Sequence, residues 1–290
     1  MEYFENRERA ESFGEVATDY DAYRPKYPAA LVSTMINAAE AGAGSRVPRI
    51  LDVGSGTGIL AVQLGEAGAD VLAVEPDAGM ADVARAKGLD VEISGFETWD
   101  SRGRTFDLVS FGQSFHWVDP MIALPKIRDL LEPGGSLALA WNDIEPCGEL
   151  RTRLDAITAG FHSEGTTASL GTAASAGSAA SAEMTASAET AGNQGPAGNS
   201  ATTTSKNNFE PVEHPALAQL RAMNLTPRES TFTEDLHYSR HGWLSMVFTH
   251  SAQLTMDPVK RAVMREEMNA EIPAEGLAAR NEALLILAHK

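Results

Sequence analysis

Three glycines in alternation, at positions 54, 56 and 58, follow the mostly apolar run Ile50-Leu51-Asp52-Val53, and this juxtaposition constrains the fold more than any other part of the chain. A short apolar run reads as a buried strand. Glycines at its end permit a tight turn into a helix, and a ligand can lie against their backbone without meeting side chains. One βα unit later, Val71-Leu72-Ala73-Val74 ends in Glu75. A carboxylate at the carboxyl end of the neighbouring strand is placed to accept hydrogen bonds from a ribose diol. Together the two features predict a site for a nucleoside-bearing cofactor in an open parallel sheet.

Glycine spacing indicates which cofactor. A dinucleotide fingerprint is G-x-G-x-x-G, with a pyrophosphate on the helix N-terminus. Here the third glycine comes one residue early, and Ile59 occupies the dinucleotide position. Asp52 is also a poor neighbour for a pyrophosphate, because like charges repel at short range; it suits a ligand with an ammonium group. The run Asp52-x-Gly54-x-Gly56-x-Gly58 resembles motif I of the class I S-adenosylmethionine-dependent methyltransferases, whose cofactor carries an amino acid end and a sulfonium in place of phosphates.

Downstream the pattern alternates. A helix is expected over 78–87, a short strand over 91–93 and a strand of near-continuous apolar character over 105–111. A second helical period runs from Ile122 to Leu131 and stops at Glu132-Pro133-Gly134-Gly135, after which 136–141 reads as another buried strand. Strands separated by helices predict an α/β fold: a doubly wound, mostly parallel, Rossmann-like sheet with helices on both faces. An N-terminal lid helix and a C-terminal substrate-side elaboration complete the expected architecture. The fourth-strand Phe106-Asp107-Leu108-Val109, the run Gln113-Ser114-Phe115-His116-Trp117, and the upstream set Phe13 to Ala17, Tyr20, Tyr23-Arg24-Pro25 and Tyr27-Pro28 resemble the type 11 branch that includes trans-aconitate-methyltransferase-like enzymes. The resemblance covers residues 10–150 well and 209–260 loosely.

The expected organisation is a lid and first helix over 1–45, an S-adenosylmethionine-binding core over 46–161, a low-complexity insert over 162–208, and C-terminal elements over 209–290. The insert is almost entirely Ala, Ser, Thr, Gly and Asn, with one leucine and no valine or isoleucine. It has little to bury against the entropy of ordering, so disorder is expected. Beyond it, 215–223 reads as a short helix and 228–232 as a sheet-edge strand. The segments 259–271 and 277–289 read as helix-prone; Leu284-Leu285-Ile286-Leu287-Ala288 is alternatively the final antiparallel strand.

Composition narrows the function. A formal net charge of −17 opposes a phosphate backbone, which argues against a nucleic-acid substrate. The N-terminal residues carry no apolar h-region and no stretch is long and apolar enough to span a bilayer, so a cytoplasmic protein is expected. The single cysteine, Cys147, forms no internal disulfide. The histidine-bearing segment 237–241 lacks a metal-ligand spacing, and no metal is expected.

The resemblance implies roles for individual residues. Gly54, Ser55, Gly56 and Gly58 would present backbone to the methionine end of the cofactor, and Asp52 would help hold its ammonium. Glu75 would take both ribose hydroxyls, with Pro76, Asp77 and Met80 around the adenine and Phe96 and Glu97 at its edge; the family often has Ala-Glu at the last two positions. Gln113 would hydrogen-bond in the cofactor loop, and Tyr20 and Tyr27 would cover the site as parts of a lid. His116 and Trp117 are the substrate-side candidates. An imidazole at the end of a central strand suits proton abstraction near neutral pH, or the pair simply walls the pocket, since a carboxylate acceptor needs no base. Arg24 offers a fork for a carboxylate of the cofactor or the substrate. The resulting expectation is methyl transfer to a small molecule, with O-methylation of a carboxylate or hydroxyl favoured. A catalytically inactive cofactor-binding or interaction protein on the same fold is the alternative, and a nicotinamide-dependent oxidoreductase is disfavoured by the early third glycine and Asp52.

Overall fold

The computed structural model describes residues 14–162, 215–223 and 225–290. Most of the expected insert, and the N-terminal residues through Phe13, lie outside the described residues.

A 3-10 turn at Gly14–Val16 leads into α1 (Ala17–Tyr23) and α2 (Ala29–Ala43). The core then alternates as expected: β1 (Arg49–Val53), α3 (Ile59–Glu66), β2 (Asp70–Glu75), α4 (Ala78–Ala86), β3 (Asp90–Ile93), β4 (Phe106–Gly112), α5 (Pro120–Leu130) and β5 (Leu131–Trp141). A short β6 (Ile144–Pro146) and α6 (Glu149–His162) follow, and the chain closes with α7 (Pro215–Ala222), β7 (Thr226–Tyr238), α8 (Arg240–Val247), α9 (Ser251–Leu254), α10 (Pro258–Glu271) and β8 (Leu277–His289).

β1 lies between β2 and β4, β3 flanks β2, and β5 flanks β4, all parallel. β8 is antiparallel to its neighbours. On one edge, β5 and β6 lie end to end along β8 in a single register, from Ser136 opposite His289 to Trp141 opposite Leu284, resuming with Ile144 opposite Asn281. The buried Asn281 side chain spans the two-residue interruption: its Oδ1 accepts from Asp143 N at 3.1 Å and its Nδ2 donates to Asn142 Oδ1 at 2.8 Å. β7 runs along the other edge of β8 for its whole length.

Side chains alternate between the two faces of the sheet. Leu51, Val53, Val74, Val109, Phe111, Leu137, Leu139 and Ile286 pack in one cluster with residues of α5 and α7. Ile50, Leu108, Ala138, Ala140, Ala283 and Leu285 pack on the opposite face with α2 and α3. A third cluster joins α6, α8 and α10 to the start of β8 through Leu154, Trp243, Met246, Met264, Met268 and Leu277. This helical group forms the C-terminal elaboration.

The helix-prone reading of 277–289 is corrected. Leu277, Ala279, Asn281, Ala283 and Leu285 are buried while Ala278, Arg280 and Glu282 are exposed, a two-residue period that only a strand satisfies. The alanines and leucines of this segment favour helix locally, but pairing on both edges holds the extended form. The alternative reading of 284–288 as the last antiparallel strand agrees with the structure, and β7 extends well beyond the expected 228–232 in both directions.

Candidate functional site

β1 and β2 end side by side, Val53 opposite Val74, so the glycine turn and Glu75 meet. Gly54 has φ +62°, and a Cβ there would lie 2.6 Å from the Ser114 Cβ; only glycine combines this backbone with so close a neighbour. Gly56 also has a positive φ, of +57°, yet a Cβ on it would meet nothing within 4 Å. Its backbone therefore faces open space, as a ligand cradle requires. Gly58 N-caps α3 in the left-handed conformation.

Glu75 is 6% exposed and joins the two halves of the cradle. Its Oε2 accepts from Gly56 N at 2.8 Å and its Oε1 from Asp77 N at 2.9 Å. Each oxygen retains a second lone-pair site for an external donor. Burial raises the Glu75 pKa to about 7, although the two backbone N–H groups work in the opposite direction. Asp52, 1% exposed, accepts from Ser110 Oγ at 2.7 Å. Burial raises its pKa to about 7 as well, and the nearby Glu75 charge adds to the shift. Two buried carboxyls with no cationic partner among the described residues suit a ligand that brings hydroxyl donors and a positive charge. In the turn itself, the buried Ser55 Oγ and Thr57 Oγ1 have no hydrogen-bond partner among the described residues. The open cradle, the orphaned hydroxyls and the acidic pair fit a cofactor with a ribose and an ammonium.

Around this centre the structure treats the expected residues differently. Asp77 N-caps α4, accepting from Met80 N at 2.9 Å, and also accepts from Gly14 N at 3.1 Å, which ties the 3-10 turn before α1 to the start of α4. An ion pair between Asp21 and Lys87 adds a second tie between α1 and the end of α4. Met80 is 3% exposed and packs inward. Phe96 likewise points its ring into the core, edge-on to Phe111 at 5.6 Å. Glu97 Oε1 accepts from Asp119 N at 3.1 Å, just before α5.

At the end of β4, Gln113 adopts φ +58°, with its N donating to Ala140 O and its Nε2 to Asn142 O, both at 2.8 Å. Ser114 Oγ donates to Val53 O at 2.5 Å and so ties this loop to the glycine turn. His116 and Trp117, in a 3-10 turn, are half-buried with ring centroids 4.8 Å apart.

Tyr27, 6% exposed, exchanges hydrogen bonds with the Gln63 side chain through its backbone, and its hydroxyl packs on Gly112. Burial raises its pKa well above the usual phenol value, with Tyr20 and Asp52 contributing. Tyr20 lies under the Arg24 guanidinium, 4.7 Å from its centroid. Arg24 itself is clasped by the C-terminal elaboration. Its Nε donates to Thr249 Oγ1 at 3.1 Å, Nη2 to Thr249 O at 3.2 Å, and Nη1 lies 3.1 Å from His250 Nε2. Burial lowers the Arg24 pKa and drives that of His250 down to about 3, so His250 is a neutral acceptor. Among the described residues no carboxylate pairs with Arg24. Tyr23 OH hydrogen-bonds His241 Nε2 at 2.9 Å and strengthens the same clasp. The sequence reading named Arg24 but missed Thr249 and His250 as its partners, because more than 200 residues separate them.

A doubly wound, mostly parallel sheet whose first strand turns through a glycine cradle and whose second ends in a buried carboxylate defines a Rossmann-like α/β fold. Within that class, residues 51–139 match the model of the methyltransferase domain. An uncharacterized methyltransferase of Mycobacterium tuberculosis is 37% identical over 139 residues, covering 47% of this chain and 54% of the relative. Another from Schizosaccharomyces pombe is 30% identical over 142 residues, covering 46% and 55%. The chain thus spans about half the length of the curated relatives it matches. Among solved structures, a chain from Anaeromyxobacter dehalogenans assigned as a type II methyltransferase aligns with a TM-score of 0.52 and 17% identity, covering 91% of this chain and 97% of its own; this likeness shows the fold. Among the described residues no helix is long and apolar enough to cross a membrane.

Proposed function

We propose that the protein is an S-adenosylmethionine-dependent methyltransferase of a small molecule, set in the cytoplasm. The observation that carries this reading is Glu75, buried and hydrogen-bonded to Gly56 N of a cradle that is open where a ligand backbone contact belongs. Glu75 would accept from the ribose hydroxyls, Asp52 would hold the ammonium, and Ser55 and Thr57 would offer their hydroxyls to the methionine end. Asp77 and the 95–97 turn would border the base. When bound, the cofactor supplies an electrophilic methyl carbon on a sulfonium, and the protein supplies orientation and exclusion of water.

The lid residues Tyr20, Arg24 and Tyr27 close over the cradle, and His116 with Trp117 flanks it from the end of β4. Arg24, with neutral partners and donors to spare, would meet a carboxylate of the cofactor or of the acceptor. His116 would take a proton from a hydroxyl acceptor, or wall the pocket if the acceptor is a carboxylate; O-methylation is the favoured outcome. The sequence motifs resemble those of the trans-aconitate-methyltransferase-like branch.

Titration calorimetry with S-adenosylmethionine, S-adenosylhomocysteine and NADH tests the cofactor. Binding of the first two and not the third is expected, and the reverse would overturn the reading. A mass screen of metabolites for a gain of one methyl then tests turnover. Cofactor binding without any methylated product would favour a non-catalytic binding protein.

A further inference from the structure

Beyond β3, the chain forms a turn that the sequence reading treated only as the adenine edge. Ser94 N donates to Glu75 O at 3.1 Å, so the turn begins beside the acidic strand end. Thr98 N and Trp99 N return to Gly95 O at 3.2 and 3.0 Å, closing one helical turn whose last carbonyls have no helix to continue into. Lys126, reaching across from α5, serves those carbonyls. Its Nζ donates to Phe96 O at 2.7 Å, to Trp99 O, and to Glu97 O at 3.4 Å. The ammonium also lies 5.1 Å from the Phe96 ring centroid and 5.7 Å from that of Trp99. Trp99 is held from its other contacts by Glu92, which accepts from its Nε1 at 2.5 Å, and by Arg104, whose guanidinium lies 5.2 Å from the ring. A second tether, Asp119 N to Glu97 Oε1, joins the same turn to the start of α5.

We infer that Lys126 is a positioning residue for cofactor binding: by clamping the carbonyls of Phe96, Glu97 and Trp99 it fixes the wall against which the nucleoside base packs beside Glu75. This rests on the cofactor site proposed above. A half-buried lysine commits its donors to three backbone carbonyls of one turn, although an ordinary surface lysine would leave them to water. Burial lowers its pKa against the nearby Glu97 and Asp100 charges, and among the described residues no carboxylate is hydrogen-bonded to it. The clamp holds the main chain and leaves the Glu97 carboxylate on its own tether, so a change at Lys126 acts on the wall without removing a contact group.

The test is calorimetric titration of Lys126→Met and Lys126→Arg with S-adenosylhomocysteine and with methylthioadenosine, which lacks the amino acid end. Lys126→Met is expected to weaken both ligands by the same factor, about tenfold, because the loss lies on the nucleoside half that they share. Lys126→Arg, which still donates to carbonyls, is expected to restore most of the affinity. If Lys126→Met melts below the assay temperature, Lys126→Gln carries the same comparison. Parent-like affinity in a folded Lys126→Met, or a loss confined to S-adenosylhomocysteine, would overturn the inference, since a helix cap of structural value alone would lower only the melting point. If the parent itself binds neither nucleoside, the cofactor site is wrong and the positioning role falls with it.

Discussion

At Asp52 and Glu75 the chemistry of single residues is set by burial. Both carboxyls have folded pKa values of about 7, against ordinary values of 3.8 and 4.5. Between those limits the folded chain holds more protons than the unfolded one, so the free protein should lose stability as pH rises from about 4 to about 7. A bound ammonium and ribose hydroxyls favour the ionised forms. Cofactor affinity should therefore rise with pH up to about 7 and binding should release protons, measurable by calorimetry in buffers of different ionisation heat; a flat profile with no proton release would count against both roles. Glu75→Ala removes acceptors for two ribose hydroxyls and should weaken S-adenosylhomocysteine by about 1.5–3 kcal/mol, roughly 10- to 100-fold. His116→Asn separates its two roles. A base acting on a hydroxyl would show a large loss of kcat with unchanged cofactor affinity, and the parent rate would climb through the imidazole pKa. Unchanged kcat and pH profile would leave His116 as a pocket wall.

Among the elements, α1 is held from two sides. Gly14 and Asp21 tie it to α4, while Tyr23 and Arg24 tie it to α8 and the Thr249–His250 corner. In the site proposed above, the nucleoside side and the acceptor side would therefore share one lid. Arg24→Leu should raise either the cofactor Kd or the acceptor KM by about 10- to 100-fold, by the loss of charged hydrogen bonds, and which constant moves identifies the anion. If neither moves in a folded variant, Arg24 serves only the clasp. The clasp was illegible in the sequence for a simple reason: Arg24 and His250 lie 226 residues apart, and neither carries a local pattern that selects the other.

Across the whole molecule, the cradle gathers the ends of β1, β2 and β4 with the lid, so a ligand there should stabilise most of the fold at once. Saturation with S-adenosylhomocysteine at about 100 times its Kd stabilises by about 2.7 kcal/mol, which for a chain of this size should raise Tm by roughly 5–10 °C. A thermal scan with and without ligand checks this, and no shift at saturation would mean that the ligand binds elsewhere.

The sequence by itself determined the order of the central strands and helices, the glycine turn and the acidic strand end, because each is written in residues that lie close together: an apolar run, a spacing of glycines, a carboxylate at a strand end. Tertiary structure decided what those residues become. It buried the Phe96 and Met80 side chains, and it raised the two carboxyls by burial that no motif encodes. The last segment is the clearest case. Leu277 to His289 carries the helix-favouring alanines and leucines of an amphipathic helix, but hydrogen bonding to β5, β6 and β7 makes it the strand that closes the sheet, because pairing on two edges outweighs local propensity.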